Sequence, residues 1–461
     1  MYESPYSGRY GSPEMRTLWS EKIKRATWRR IWTSVAEAQV AAGLVSAEQI
    51  DDIRQNSGRV NIQRALEIEA DIGHDLMAEL KTFAEQCSIG GGVLHWGLTS
   101  ADVQDNAEIV RQRAGLAILL GRLKKNLLLL ADHIETLAEM PIMGYTHLQP
   151  AEPTTLGYRF AGYAQDLMMH FDRLVRLRSQ LSGKGITGAV GTAAPFVEML
   201  EGTSLSAEML ESTTMQALGI PSFLISTQTY PRVQDYYLLT TLAATAASLH
   251  KMAFDLRLMQ SPGFKTTAEP FGEHQVGSSA MPFKRNPIKA EKICSLARQI
   301  AEKPASAWQN CADALLERTL DDSANRRNMI PESFLAMDEI LLTLKQILSG
   351  LVIDEYGIQQ SLKTYGPFAA IERLLSALVR AGADRQQMHE RLRLHSLKAW
   401  DDVAAGKPNP LSDCLQADTA LLQYLQPARI QELLNADTYV GSAPQRARQM
   451  AAQIRQYFTT K

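Results

Sequence analysis

Two stretches of this chain carry an apolar repeat of 3.5 residues, and that repeat narrows the fold more than any other feature. Leu239, Leu242, Ala246, Leu249, Ala253 and Leu256 are spaced 3, 4, 3, 4, 3, and Phe334, Met337, Leu341, Leu344 and Leu348 are spaced 3, 4, 3, 4. An α-helix turns every 3.6 residues, so such a repeat keeps one apolar stripe facing a nearly parallel neighbour along its whole length. The spacing predicts long helices packed in a bundle, with two further long helical stretches over residues 106–139 and 155–180. Gly350 is placed to stop the last helix of the bundle. No alternating run is long enough to make a major sheet, so the expected class is all-α. Ala243, Ala244, Ala246 and Ala247 permit close approach of another helix, within a monomeric bundle or across a subunit interface.

The flanks read as shorter helices. Ser12-Pro13 is an N-cap followed by proline at the first helical position. Trp28, Ile31, Trp32 and Val35 share one helix face, and Ser46 to Gln49 form a capping box. After Gly366-Pro367 the spacing shortens, Asp384 to Gln387 cap a further helix, and Gly406 to Pro410 form a loop. These breaks divide the chain into three expected helical domains, residues 1–105, 106–352 and 353–461. An apolar content of 45% supports a large core. A net charge of −2 leaves no electrostatic footprint for nucleic acid, so any cations that bind phosphate must be local. The four cysteines lack CxxC spacing and read as structural thiols of a reducing compartment. The first residues do not form a signal peptide, and runs such as 127–131 are too short to span a bilayer. A soluble cytoplasmic protein is expected. The histidines lack HxxxH or HxxEH spacing, so no metal is implied.

Chemistry concentrates where the helical pattern breaks. Residues 277–291 read Gly-Ser-Ser-Ala-Met-Pro-Phe-Lys-Arg-Asn-Pro-Ile-Lys-Ala-Glu, which sets Ser278, Lys284 and Asn286 in one loop. Removing a proton beside a carboxylate needs such a set: a base, and donors for the charge that develops. Residues 144–153 contain two prolines that forbid a regular helix and present His147 beside Thr146 and Gln149. Histidine is the natural proton donor near neutral pH. Residues 95–106 place Thr99 and Ser100 before a long helix, where they cap it, bind an anion, or both. His74 stands in Gly-His-Asp and pairs with Asp75, binds a phosphate, or is structural. Residues 183–192 hold four glycines outside any βαβ context and read as a flexible substrate-side loop rather than a dinucleotide site. Residues 317–327, Glu-Arg-Thr-Leu-Asp-Asp-Ser-Ala-Asn-Arg-Arg, form either a solvated charged turn or a phosphate site with guanidinium forks.

The string around Ser278 resembles the signature loop SSxMPxKxN of the fumarase/aspartase superfamily, whose members break a C–N or C–O bond and usually release fumarate. Residues 144–153 resemble its GxTHxQxAxP motif and residues 95–106 its TSxDxxDN region. Within the superfamily, residues 317–327, the Gly8-Arg9-Tyr10 start, residues 226–232, the His74-Asp75 pair and residues 385–391 resemble the adenylosuccinate lyases. One departure is Lys292, where relatives of the animal type carry arginine: the charge stays and the planar fork is lost.

The resemblance implies a central long-helix bundle shared between subunits of a homotetramer, with each active site built from three chains. It implies cleavage of adenylosuccinate to AMP and fumarate, and of SAICAR to AICAR and fumarate, with no cofactor. On it, Ser278 is the general base and His147 the general acid. Lys284 and Asn286 hold the doubly negative aci-carboxylate, while Thr99, Ser100 and Gln228 orient carboxylates beside Thr146. Arg318, Ser323 and Arg327 bind the phosphate and neighbouring groups, and Arg9 and Tyr10 contact the nucleotide. His74 supports His147 or binds phosphate. A serine is a plausible base only as an alkoxide stabilised by backbone N–H groups and nearby cations, in a loop that closes over substrate; residues 262–277 read as mobile enough. Rival readings are a lyase for another succinylated amine and a carboxymuconate cycloisomerase, both opposed by residues 317–327, and a 2-amino variant of the substrate, which stays open. An inactive helical scaffold is opposed by intact Ser278, Lys284 and His147, and a DNA-binding protein by the charge.

Overall fold

The two apolar repeats fall on the helices Val233–Gln260 and Asp321–Ser349 of the computed structural model, which describes residues 2–459. Every residue of both stripes is 5% exposed or less. Burying each leucine contributes about 1.5–3 kcal/mol, so the stripes are a main source of helix stability. The other long helices are Ser100–Thr136, Leu156–Gln180 and Ile288–Ala312. The first begins at Ser100 rather than 106 because the Asp102 carboxylate accepts the Thr99 N–H at 2.8 Å and satisfies a donor of the opening turn. Strands are confined, among the described residues, to two short antiparallel pairs: Pro141–Thr146 with Gln149–Thr155, and Thr267–Ala268 with Val352–Ile353. The chain is thus predominantly α-helical. No described helix is long and apolar enough to cross a membrane.

The chain forms two compact units. One comprises Met1–Leu123, His170–Ala247 and Ser295–Leu342. Its amino-terminal helices carry the expected caps: Ser12 accepts from the Met15 N–H, and Ser46 and Gln49 bond reciprocally. Trp28, Ile31, Trp32 and Val35 are buried together with the ion pair of Arg29 with Glu79.

The other unit comprises Lys124–Met169, Ser248–Cys294 and Thr343–Lys461. Its carboxy-terminal helices enclose Leu374, Leu378, Leu392, Leu411, Leu415 and Ile430. Gly350 follows the helix end at Ser349 but lacks left-handed backbone; a Cβ there would meet Pro270 at 2.7 Å, so close approach requires the glycine.

Candidate active site

In the first unit, seven of the expected residues line one open cleft of about 370 Å³: His74, Thr99, Ser100, Gln228, Arg318, Ser323 and Arg327. His74 is the N-cap of the helix Asp75–Gln86. Its Nδ1 accepts the Met77 N–H at 3.4 Å, which leaves Nε2 to carry the proton, 3.5 Å from Ser100 Oγ. Arg327 donates from Nη2 to Asp75 Oδ2 at 2.8 Å, and Gln104 Nε2 reaches Asp75 Oδ1 at 3.4 Å. Gln104 also lines the cleft, one turn after Ser100 on the same helix face; that i, i+4 spacing is the signal by which the sequence could have revealed it. The Gln228 N–H is tied to the Glu317 carbonyl at 3.2 Å, so the loop carrying Gln228 and the turn carrying Arg318 are joined. Arg9 and Tyr10 do not line this cleft; the Arg9 guanidinium lies 6.0 Å from the Tyr10 ring centroid, in the turn after the short 3-10 helix Pro5–Ser7, where the Arg9 and Tyr10 N–H groups donate to the Pro5 carbonyl at 2.8 and 3.1 Å.

Behind the cleft lies a buried ionic scaffold that the sequence did not announce. Along the helix Asp321–Ser349, Ser323 and Arg327 face the cleft, while Asp322 and Arg326, each one residue earlier, turn inward. Arg232 grips Asp105 with both Nη atoms at 3.0 and 3.1 Å and donates from Nε to Asp322 at 2.6 Å. Arg326 Nε donates to Asp235 at 2.7 Å, and the Tyr230 hydroxyl donates to the same carboxylate at 2.6 Å. Burial would raise the Asp105 carboxyl, but the Arg232 and Arg326 guanidiniums outweigh it and hold it below the usual carboxylate range. Burial pulls the Arg318 guanidinium below the usual arginine value, and it stands 3.7 Å from Asp322 Oδ1. The glycine-containing segment 183–192, expected to be flexible, is pinned instead. Lys184 is fully buried and bonds Asp102, Thr187 Oγ1 at 2.8 Å and the Gly188 carbonyl at 3.0 Å. Asn106 Nδ2 holds the Gly185 carbonyl at 2.9 Å. A buried ammonium must be paired, and pairing it fixes the loop.

The remaining expected residues belong to the second unit. Thr146 and Gln149 close a two-residue hairpin whose central residues, His147 and Leu148, have φ of 53° and 60°. Both central positions of a type I′ turn require positive φ, a costly conformation for residues with a Cβ. The turn leaves the His147 side chain exposed. In the signature loop, Ser278 Oγ accepts N–H groups from Met281 at 3.1 Å and Ala280 at 3.4 Å. Asn286 Nδ2 donates to the Gly277 carbonyl at 3.0 Å and ties the loop across its base. A Cβ on Gly277 would lie 2.0 Å from the Lys284 carbonyl oxygen, so only glycine fits there. Lys284 is exposed. Part of the stretch 262–277 is fixed: residues 267–268 are strand-paired, and Glu269 accepts the Lys289 and Ala290 N–H groups at 3.1 Å where the helix Ile288–Ala312 begins. Burial raises the Glu269 carboxyl, and those N–H groups oppose the rise.

The match of residues 8–301 to the family described as Lyase places this helical chain among the lyases of the fumarase/aspartase superfamily. The fold is shared with solved structures: a fumarate lyase from Mesorhizobium sp. BNC1 (TM-score 0.84, 21% identity, 98% of this chain and 99% of that one) and a 3-carboxy-cis,cis-muconate lactonizing enzyme from Pseudomonas putida (TM-score 0.87, 21%, 98% and 99%). Residues 367–450 match the family described as adenylosuccinate lyase C-terminus. Adenylosuccinate lyases from Saccharomyces cerevisiae and Pyrococcus horikoshii are 36% and 35% identical, over 96% and 95% of this chain and 92% and 95% of their own. The chain therefore belongs to the adenylosuccinate lyase family, and it is a carbon–nitrogen lyase.

Proposed function

We propose that this enzyme releases fumarate from adenylosuccinate, giving AMP, and from SAICAR, giving AICAR. Both substrates carry a succinyl group on nitrogen and a 5′-phosphate, so one site serves both. The observation that supports the reading is the cleft lined by Arg318, Ser323 and Arg327 together with Thr99, Ser100 and Gln228, guanidiniums suited to a phosphate beside hydroxyl and amide donors suited to carboxylates.

In the reaction, Ser278 takes the proton beside the carboxylate. Two backbone N–H groups on its oxygen favour the alkoxide form, which a serine in water does not reach. Lys284 and Asn286 hold the aci-carboxylate that develops, binding it better than the ground state. His147 gives a proton to the leaving nitrogen, the C–N bond breaks, and fumarate and the amine depart. His74, with its proton on Nε2, supports that transfer or donates to phosphate. Arg9 and Tyr10 contact the nucleotide when it binds.

The working form is a homotetramer whose active sites draw residues from several chains. The helix Val233–Gln260 supports this: opposite its buried stripe, Tyr237, Thr240, Ala244, Ala247, Lys251 and Phe254 form a second row spaced 3, 4, 3, 4, 3, and every one is exposed. Sedimentation at four times the 51.1 kDa chain mass is expected. The test of function is an ultraviolet assay with adenylosuccinate and then SAICAR, with fumarate quantified separately. Fumarate released in step with AMP or AICAR establishes the reaction; no turnover of either by the folded oligomer overturns it.

A further inference from the structure

We infer that the carboxy-terminal helices carry a binding site for a phosphate monoester, sharing no residue with the candidate active site. An open cleft of about 440 Å³, within the size range of small-molecule sites, is lined by the helix Arg385–Ala404 and by Pro410 and Cys414 beside it. Arg391, His395 and Lys398 follow one another at i, i+4 and i+7, a single helix face, and all three line it.

Beneath them sits Asp418, whose side chain is 2% exposed. It accepts Arg391 Nε at 2.6 and 2.9 Å, His395 Nε2 at 2.7 Å and the Ala420 N–H at 2.9 Å. Burial alone would raise this carboxyl; the hydrogen bonds from Arg391, His395 and Ala420 prevail and bring it down to about 2. Asp418 is therefore a fixed anion, and it does two things. It aims the guanidinium and the imidazole, and it uses only one nitrogen of each. Both Nη atoms of Arg391, Nδ1 of His395 and the Lys398 ammonium have no partner among the described residues.

The charge balance favours an anion. Asp418 is offset by Arg391, and Asp402, the acidic residue on the wall, is paired with Lys407 at 2.7 Å. Lys398 remains. A carboxylate is satisfied by the Arg391 fork alone. A phosphate ester offers three terminal oxygens; the two Arg391 Nη atoms and the Lys398 ammonium supply donors for them, and His395 Nδ1 adds another when its ring is protonated. Leu394, Ala399 and Pro410 supply an apolar wall for the esterified part.

Cys414 on that wall gives a local reporter that does not depend on turnover. The rate of Cys414 alkylation by iodoacetamide is read by peptide mass spectrometry, at constant ionic strength, in the full-length enzyme. Ribose 5-phosphate is expected to slow it saturably, at several-fold lower concentration than inorganic phosphate, while ribose has no effect. Lys398→Gln, which leaves Asp418 untouched, and Arg391→Lys, which keeps a donor for Asp418 but loses the fork, should each raise the half-protecting concentration about 10-fold. Absence of saturable protection overturns the site, as does equal protection in both variants or equal slowing at Cys311. Protection by inorganic phosphate as strong as by the ester overturns the ester assignment.

Discussion

The cleft of the first unit and the signature loop of the second hold polar groups in opposite ways. Arg318, Ser323 and Arg327 stand in front of buried carboxylates and guanidiniums that neutralise one another, so their positions are set by charges that cannot move without large cost. Ser278, Lys284 and Asn286 stand on a loop whose own anchors are backbone N–H groups, one amide and a glycine without room for a Cβ, while the buried Glu269 carboxylate holds the helix start that follows it. A binding wall gains from rigidity, because a fixed fork loses little entropy when phosphate arrives. A loop that must admit substrate and exclude water gains from weak anchors. The difference predicts that damage to the wall shows in stability and affinity, and damage to the loop shows in turnover.

The strongest test of that division is in the loop. Ser278→Ala should lower kcat about 10²–10⁴-fold, the range general acid–base groups supply, with substrate binding and thermal stability unchanged. His147→Ala at the hairpin tip should behave alike. Near-normal fumarate release by Ser278→Ala would remove the base assignment, and a large loss of stability would remove the contrast itself.

Next in size is the scaffold. Arg326→Ala leaves the fully buried Asp235 carboxylate without its cation, with the Tyr230 hydroxyl still donating to it. Breaking a buried pair from one side costs about 3–5 kcal/mol, so chemical denaturation should shift strongly. Lys284→Ala, an exposed cation, should leave the same curve within about 0.5 kcal/mol while lowering kcat. Equal stability losses for the two would show that burial does not separate the regions.

These regions were unequally legible. The apolar stripes and the caps at Ser12 and Ser46 were readable because spacing and local hydrogen bonding are properties of contiguous sequence. The hairpin that presents His147 was readable only as a break in helix, since neither His147 nor Leu148 is a residue type that announces positive φ. The scaffold was not readable at all. Asp102 and Lys184 are 82 positions apart, and Asp105 and Arg232 are 127 apart. Each alone looks like a solvated charge, and only the fold brings the pairs together. For the same reason residues 183–192 read as flexible: their glycines are visible in sequence, and the partner that fixes Lys184 is not.

A smaller effect is expected at the mouth of the cleft. Arg327 is more than half exposed and rests on Asp75, so Arg327→Ala should change stability by less than about 1 kcal/mol. Its expected cost is in affinity. Loss of a charge-assisted pair to phosphate weakens binding by about 1.5–3 kcal/mol, a rise of roughly 10–100-fold in KM for substrates bearing the phosphate. Fumarate inhibition should be nearly unaltered. A matching loss of fumarate affinity would move Arg327 from phosphate to carboxylate binding.

The smallest effect separates buried from surface anchoring by pH. Asp418 has a carboxyl at about 2 in the folded chain against 3.8 unfolded. A carboxyl depressed by folding stabilises the fold above its unfolded value, and that contribution fades as pH falls from about 4 to about 2. The full shift corresponds to roughly 2 kcal/mol, and solvent access to Arg391 reduces it to about 1–2 kcal/mol. Asp418→Asn should therefore be less stable than the parent near neutral pH by that amount, and the two denaturation curves should converge by pH 2. Ser278→Ala, whose partners are backbone N–H groups that do not titrate, should track the parent across the whole range. A gap for Asp418→Asn that persists at pH 2 would mean the residue acts by packing rather than by charge. A pH-dependent gap for Ser278→Ala would place a titrating group against its hydroxyl, and the contrast between anchoring by buried charge and anchoring by backbone N–H groups would then fail on the side where it is now simplest.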